Sequence, residues 1–182
     1  MITLKKPLVN YRSKTRLLPS NCAKISKRSL IWRVIVCLEH KIYVYNFTNL
    51  TLLDSIETCV NQLGLVSCSY QPDECVLACP DKEKGKVCVK IYGKDGTDQA
   101  SIHNILEAHN SQLSCLTVNF DGTLLATASE KGTIIRLYSP HTGDLLQELR
   151  RGSDKAELYS IAIDVKTKWL GCTSDKGTVH IF

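Results

Sequence analysis

Short runs of five or six residues, rich in Val, Ile, Leu, Thr and aromatic residues, recur along the chain between turn-forming residues. Four of these runs end in an aromatic residue, and they occupy residues 41–45, 87–92, 133–138 and 178–182. Their terminal aromatic residues are spaced 47, 46 and 44 residues apart. Runs of this length and composition are typical of β-strands, and the regular spacing indicates an internal structural repeat.

The best-defined repeat divides into four predicted strands. They cover residues 116–120, 124–128, 133–138 and 145–149. Asp121-Gly122 and Lys131-Gly132 supply turns, because glycine adopts the positive φ that tight turns require. A four-stranded unit that repeats about every 40–45 residues is typical of a β-propeller blade. The sequence therefore predicts an all-β, WD-repeat-like β-propeller.

The last two repeats contain matching hairpins. Ser-Glu-Lys-Gly-Thr at residues 129–133 is echoed by Ser-Asp-Lys-Gly-Thr at residues 174–178, at an offset of 45 residues. The Gly-His pair of WD repeats is replaced by Ala108-His109, and Leu-Tyr and Ile-Phe pairs stand where Trp-Asp would end a repeat. We therefore predict a divergent branch of the WD-repeat proteins.

Composition indicates a globular protein and narrows the class of partner. The 182 residues are 43% hydrophobic and 23% charged, as in ordinary folded domains. The net charge of +5 suits an anionic partner without identifying it. Residues 1–6 lack the apolar run of a secretion signal. The most apolar stretch, residues 34–38, is far shorter than the roughly 18 residues of a membrane span, so we expect any membrane contact to be peripheral.

The nine cysteines are an odd number scattered through apolar stretches, which favours a reducing compartment. Cys75 and Cys79 are the only close pair, and no second pair or neighbouring histidine completes a tetrahedral metal site. We interpret both as packing residues and expect neither a metal nor a cofactor. No catalytic grouping has a useful spacing, so we expect no enzyme activity. Asp121, Asp164 and Asp175 lie where turns need a carboxylate.

The run Leu-Arg-Arg-Gly at residues 149–152 lies between the two matching hairpins. In that position it resembles the Phe/Leu-Arg-Arg-Gly signature of the PROPPIN family of phosphoinositide-binding β-propellers. Residues 41–47 and 56–58 are also similar to that family, most closely to its WD-repeat phosphoinositide-interacting types numbered three and four. The resemblance covers about residues 30–182.

Arg150 and Arg151 are adjacent, and successive side chains of an extended segment point to opposite sides. They cannot both serve one pocket, but each can serve one of two neighbouring pockets. Arginine suits a phosphate ligand because its planar guanidinium donates two hydrogen bonds and keeps its charge at physiological pH. The sequence therefore predicts two anion-binding pockets.

The resemblance implies which residues line these two pockets. Hydroxyl groups and glycine N–H groups supply neutral donors around a phosphate, and histidines gain charge where the local pH falls near an anionic surface. The first implied pocket contains His109, Thr127, Ser129, Gly132, Thr133, Arg136 and Arg150. The second contains Arg151, Gly152, Ser174, Thr178 and His180.

The same residues have plainer explanations. Serine, threonine and glycine are common in any propeller turn, and an isolated Arg-Arg-Gly run is more often a solvated strand edge or a protein-docking patch. A lone histidine in a strand-rich unit is usually a structural residue. The position of the two arginines between matching hairpins is what favours lipid binding.

From the resemblance we expect a non-enzymatic adaptor that binds phosphatidylinositol 3-phosphate and phosphatidylinositol 3,5-bisphosphate. We expect it to be cytoplasmic and to be recruited peripherally to phagophore, autophagic and endosomal membranes. The implied partners are the autophagic lipid-transfer protein and other autophagy proteins, and nucleic acid is not among them. Two alternatives stay open: a generic WD-repeat scaffold whose arginines bind an acidic peptide, and a non-functional truncated copy.

We expect two segments. Residues 1–29 show no blade pattern and receive no fold assignment, whereas residues 30–182 form an incomplete propeller of about three to four blades. A seven-bladed ring at roughly 45 residues per blade needs about 315 residues, so we expect the ring to stay open. The family's hydrophobic membrane-inserting loop is expected beyond Phe182, and membrane docking by this chain alone is expected to be weak.

Overall fold

The computed structural model describes residues 22–26 by their backbone, together with residues 33–69, 71, 74–93, 100 and 102–182. These residues form four antiparallel sheets, each made of strands that are consecutive in sequence. Each sheet is therefore a simple meander. The described residues form strands and turns, and none of their segments is a helix that is long and apolar enough to cross a membrane.

Three sheets have four strands and the last has three. The first sheet consists of β1 (Cys22–Ser26), β2 (Arg33–Cys37), β3 (Lys41–Asn46) and β4 (Leu52–Glu57). The second consists of β5 (Ser67–Cys68), β6 (Cys75–Pro80), β7 (Val87–Tyr92) and β8 (Ile102–Leu106). The third consists of β9 (Leu113–Val118), β10 (Leu125–Ser129), β11 (Ile134–Tyr138) and β12 (Leu145–Arg150). The fourth consists of β13 (Leu158–Ile163), β14 (Leu170–Ser174) and β15 (Val179–Ile181).

The apolar pattern of each strand matches the number of sheets that cover it. In β2, buried residues alternate with half-buried ones, as expected for a strand with one well-covered face. β6 and β10 are buried along their whole length. In β6 this is because Leu77 belongs to the core on one side of its sheet and Val76 to the core on the other side. Apolar and β-branched residues suit such doubly covered strands.

Three hydrophobic clusters lie between successive sheets. β9 also contacts both β5 and β13, so the first strands of the second, third and fourth sheets lie side by side. Sheets that pack face to face around a shared inner edge are the blades of a β-propeller. Residues of facing sheets in the three clusters include Ile42 and Leu77, Val89 and Leu125, and Ile135 and Ile161.

The predicted all-β propeller architecture is confirmed, and β9 to β12 are the four strands of the best-defined repeat. β9 spans Leu113–Val118 rather than residues 116–120. Asn119 explains the earlier end, because its N–H donates to the carbonyl of Leu124 at 2.9 Å and its Oδ1 accepts the N–H of Leu124 at 2.9 Å. This side chain closes the hairpin before the strand can continue.

The predicted boundary near residue 30 lies outside the described residues, as do residues 1–21 of the unassigned segment. β1 precedes that boundary and pairs with β2 in antiparallel register. The first sheet therefore begins before the blade pattern became visible in the sequence. The run Cys-Ala-Lys-Ile-Ser in β1 is too short, and too poor in aromatic and β-branched residues, to stand out as a strand.

Cys75 and Cys79 lie in β6 and are 7% and 0% exposed. Both belong to the hydrophobic cluster between the first and second sheets, which is the packing position that the sequence predicted. The eight cysteines among the described side chains are all free thiols. Within the described part of the chain, no group of side chains is suited to hold a metal ion.

Candidate functional site

Residues of the first predicted pocket collect on one face of the third sheet. The register places Thr127 opposite Arg136, and Arg136 opposite Glu148. Arg150 is two residues beyond Glu148 in β12, so it lies on the same face. Thr127 and Ser129 are 0% and 5% exposed. The alternation of β10 directs this face towards the second sheet.

His109 reaches this face from the loop between β8 and β9. Its Nε2 lies 3.1 Å from Oγ1 of Thr127. Burial of the ring, and secondarily the nearby charge of Arg136, lower the pKa of His109 from 6.5 to about 4. At neutral pH His109 is therefore an uncharged hydrogen-bonding ring. The gain of charge expected from the sequence requires a much lower pH than a mildly acidic membrane surface provides.

The guanidinium of Arg136 has two acceptors in the protein. Its Nε donates to Oε1 of Glu148 at 2.6 Å, and its Nη1 donates to the carbonyl of Ala108. The side chains of Arg136 and Glu148 are 27% and 45% exposed, so solvent screens the ion pair and its contribution to stability is only about 0–1 kcal/mol. Glu148 nevertheless occupies a donor that a phosphate would otherwise use.

Gly132 brings the β10–β11 turn against the segment that follows β12. Its φ is +63°, and a Cβ at this position would lie 1.9 Å from the carbonyl oxygen of Ala156. Only glycine permits both this φ and this close approach. The N–H of Gly132 donates to the carbonyl of Ser129 at 2.9 Å. That N–H closes the turn, so it is not a free donor for a ligand.

Arg150 and Arg151 lie at the end of the outer strand of the third sheet and have different surroundings. Arg150 is exposed, and its side chain has no hydrogen-bond or ion-pair partner within the described part of the chain. Arg151 is half-buried, and its Nε donates to the carbonyl of Gly132 at 2.7 Å. The Nη2 of Arg151 donates to the carbonyl of Asp154. Arg150 is therefore the more available cation of the pair.

Backbone hydrogen bonds join the arginine segment to the first hairpin. The N–H groups of Arg151 and Gly152 both donate to the carbonyl of Thr133, at 2.9 and 3.4 Å. The carbonyl of Lys131 accepts the N–H of Ala156 at 3.1 Å. Residues 129–133 and 150–156 thus form one hydrogen-bonded unit.

The second predicted pocket is more open. Ser174 is 5% exposed, and its Oγ accepts the N–H of Lys176 at 3.4 Å. Thr178 is exposed, and its Oγ1 lies 3.2 Å from Nε2 of His180. Arg151, assigned to this pocket from the sequence, donates hydrogen bonds to the first hairpin and to its own loop. Its charge also lies close enough to β14 to favour ionisation of the Cys172 thiol, although burial raises the pKa of that thiol.

A family model for PROPPIN matches residues 11–182. The chain belongs to the PROPPIN family. Its curated relatives include Autophagy-related protein 18e of Arabidopsis thaliana, which is 42% identical over 82% of this chain and 38% of its own length. Autophagy-related protein 18 of Schizosaccharomyces pombe is 33% identical over 98% of this chain and 52% of its own length. The chain thus spans about two fifths to one half of the length of these relatives.

Solved structures show the same fold. Kluyveromyces lactis Hsv2 superposes with a TM-score of 0.73 at 22% identity, over 94% of this chain and 52% of Hsv2. A complex of KlAtg21 with the coiled coil of AgAtg16 superposes with a TM-score of 0.66 at 25% identity, over 91% of this chain and 52% of that one. The four sheets therefore form an incomplete PROPPIN propeller, while the assignment to types three and four stays a prediction.

The PROPPIN signature was visible in the sequence, but its acidic neighbour was not recognised there. Glu148 shares a strand and a face with Arg150, which the period of two could have revealed. Its pairing with Arg136 depends on the register between β11 and β12, which the sequence alone does not give. The carbonyls of Ala108 and Asp154 also went unnoticed, because backbone acceptors carry no sequence signal.

Proposed function

We propose that this PROPPIN chain is a phosphoinositide-binding adaptor that reads phosphatidylinositol 3-phosphate and 3,5-bisphosphate during autophagosome assembly. The observation that carries the proposal is the exposed, unpaired guanidinium of Arg150 beside Arg151, between two matching hairpins. In this setting the family signature places an exposed positive charge beside a frame of hydroxyl and backbone groups. Such a frame suits a phosphate on a rigid inositol ring.

The two arginines take different parts in the proposed binding. Arg150 supplies a guanidinium that can form a bidentate contact with a phosphate without first breaking an internal bond. Arg151 stays bonded to the carbonyl of Gly132 and holds the segment against the first hairpin. Arg136 adds positive charge from the same sheet face as Arg150. Binding by such partly exposed cations weakens as the salt concentration rises.

The proposed location and partners follow from the family. The chain acts at cytoplasmic faces of phagophore, autophagic and endosomal membranes, to which it is recruited peripherally. Its relatives are autophagy-related proteins by name, and a structural neighbour is described in complex with the coiled coil of AgAtg16. These names support autophagy proteins as the partners of this adaptor, and the family resemblance adds the autophagic lipid-transfer protein to the proposal.

Liposome co-sedimentation tests the proposal. The purified chain is mixed with phosphatidylcholine vesicles that contain phosphatidylinositol 3-phosphate, phosphatidylinositol 3,5-bisphosphate or unphosphorylated phosphatidylinositol. We expect the chain to sediment with the phosphorylated lipids, and we expect Arg150→Thr and the double variant Arg150→Thr, Arg151→Thr to stay in solution. The matched control is the double variant Lys166→Thr, Lys168→Thr, which removes the same charge from the turn between β13 and β14. This turn lies at the opposite end of the fourth sheet from the hairpin at residues 174–178.

The control separates specific binding from general attraction. Equal loss of sedimentation in both double variants would show that only net charge matters, which would contradict a phosphoinositide site at the arginines. Soluble inositol 1,3-bisphosphate should displace the chain from the vesicles. Folded chain that ignores the lipids but binds an acidic peptide through Arg150 would favour the generic scaffold, and folded chain that binds neither would favour the non-functional copy.

A further inference from the structure

A group of thiols lies between the first and second sheets, far from the arginine segment in sequence. Cys37, Cys79 and Cys88 all belong to the hydrophobic cluster of this interface and are 3%, 0% and 2% exposed. Cys37 has its own partner, because its Sγ accepts a hydrogen bond from Nδ2 of Asn61 at 3.3 Å. Cys68 and Cys75 belong to the same cluster, but Cys79 and Cys88 are the cysteines that face each other across two adjacent strands.

Cys79 and Cys88 are directly opposite each other in the antiparallel pair of β6 and β7. Opposite residues of such a pair point to the same face of the sheet, with Cα atoms about 4.5–5.5 Å apart. Disulfides in proteins form at Cα separations of about 4.4–6.8 Å. The backbone therefore already holds these two cysteines at a distance that a disulfide can bridge.

Cys88 lies at the inner wall of a cleft that opens beside β7 and β8. The cleft has a volume of about 330 Å³, and its lining includes Lys82, Cys88, Lys90 and His103. Nε2 of His103 lies 3.4 Å from Sγ of Cys88, and the His103 side chain is exposed. A water-sized molecule can therefore approach Cys88 next to a base, although a bulky reagent cannot reach so deeply buried a thiol.

The surroundings give the two thiols different acidities. The pKa of Cys88 is lowered, first because Cys79 donates a hydrogen bond to it and also because the charge of Lys90 is near. The same hydrogen bond, together with complete burial, raises the pKa of Cys79. Cys88 is thus the thiol that ionises first, and Cys79 is placed to attack it afterwards. Cys88 therefore has the position of the cysteine that an oxidant modifies, and Cys79 has the position of the resolving cysteine.

We propose that Cys79 and Cys88 are a redox-sensitive dithiol, which hydrogen peroxide entering the cleft beside His103 converts to a cross-strand disulfide. His103 accepts the proton of Cys88, whose thiolate attacks one peroxide oxygen. The O–O bond breaks, an S–O bond forms, and the departing hydroxide takes up a proton to leave as water. The Cys79 sulfur then attacks Cys88, so an S–S bond forms, the S–O bond breaks and a second water leaves. The two thiols lose two electrons and two protons, and the peroxide gains both.

Disulfide mapping on the folded wild-type chain tests this site. The chain is titrated with hydrogen peroxide, blocked with N-ethylmaleimide in denaturant and digested with trypsin without reductant. Trypsin cleaves after Lys86 and after Lys90 and releases residues 87–90, so Cys88 is the only cysteine in its tryptic peptide. We expect the first disulfide product to link this peptide to residues 42–82, which contain Cys59, Cys68, Cys75 and Cys79. We expect the fragment ions of the linked peptides to place the bond at Cys79, and we expect dithiothreitol to reverse it. A first product that leaves Cys88 reduced would overturn the proposal.

Three variants test the roles of Cys79 and His103 in this reaction. In Cys79→Ser the disulfide should disappear, and Cys88 should stop at a sulfenic acid that dimedone traps. His103→Gln should slow the oxidation of Cys88 severalfold, whereas His141→Gln, a histidine paired with Glu74 on another surface, should not. Cys115 serves as an internal control, because burial raises its pKa to about 11. It should react at least about tenfold more slowly than Cys88, and equal rates in the folded wild-type chain would show that the cleft gives no selectivity.

Discussion

The hairpins at residues 129–133 and 174–178 share four of five residues, yet their neighbours differ. Gly132 and Gly177 have nearly the same φ, +63° and +69°. An ideal Cβ on Gly132 would overlap the carbonyl of Ala156, whereas one on Gly177 would have no described atom within 4 Å. The first hairpin is covered by the segment that follows β12, whereas none of the described residues covers Gly177 of the second hairpin.

The difference shows that one set of residues determines the shape of the turn and another set determines how the turn is packed. The Lys-Gly pair fixes the turn in both hairpins, because glycine accepts positive φ. The tight packing of the first hairpin comes from residues 151–156, which donate three backbone hydrogen bonds to Thr133 and Lys131. The repeated motif thus sets the shape of the turn, and residues outside the motif set its packing.

Alanine substitution of the two glycines should give the largest difference in stability between the two hairpins. Gly132→Ala should lower the free energy of unfolding by about 3 kcal/mol, because strain at positive φ adds to a clash with the backbone at Ala156. Gly177→Ala should lower it by only about 1 kcal/mol, since the strain acts without the clash. Urea unfolding followed by circular dichroism measures both. Equal losses would show that the two turns are equally free in solution.

A pH titration should detect the burial of His109, which belongs to the first region. The pKa of His109 is about 4 in the folded chain against 6.5 when unperturbed, so between these values the unfolded chain binds more protons. This contribution to stability is therefore complete above pH 6.5 and is lost as the pH falls towards 4, by about 3 kcal/mol in total. Urea midpoints from pH 7 to pH 4.5 should fall less steeply in His109→Gln than in the wild type. Parallel curves would contradict the buried, neutral state of His109.

The blades were predictable because their spacing and strand composition depend on local properties of the chain. The positions of β10, β11 and β12 follow from short apolar runs between Gly-containing turns. The side-chain arrangement of the candidate site was less accessible. The contact of Arg151 with Gly132 and the pairing of Arg136 with Glu148 depend on strand register and on backbone carbonyls, neither of which composition encodes.

The smallest expected effect concerns Glu148, the carboxylate that pairs with Arg136 in the first region. Glu148→Gln removes the charge that competes with phosphate for Arg136, so we expect binding to phosphatidylinositol 3-phosphate vesicles to tighten about fivefold, or about 1 kcal/mol. Glu39→Gln removes the same charge from an exposed position in the turn between β2 and β3 of the first sheet and should change binding little. Equal tightening in both variants would assign the effect to net charge, and weaker binding in Glu148→Gln would show that the carboxylate positions Arg136 for the ligand rather than competing with it.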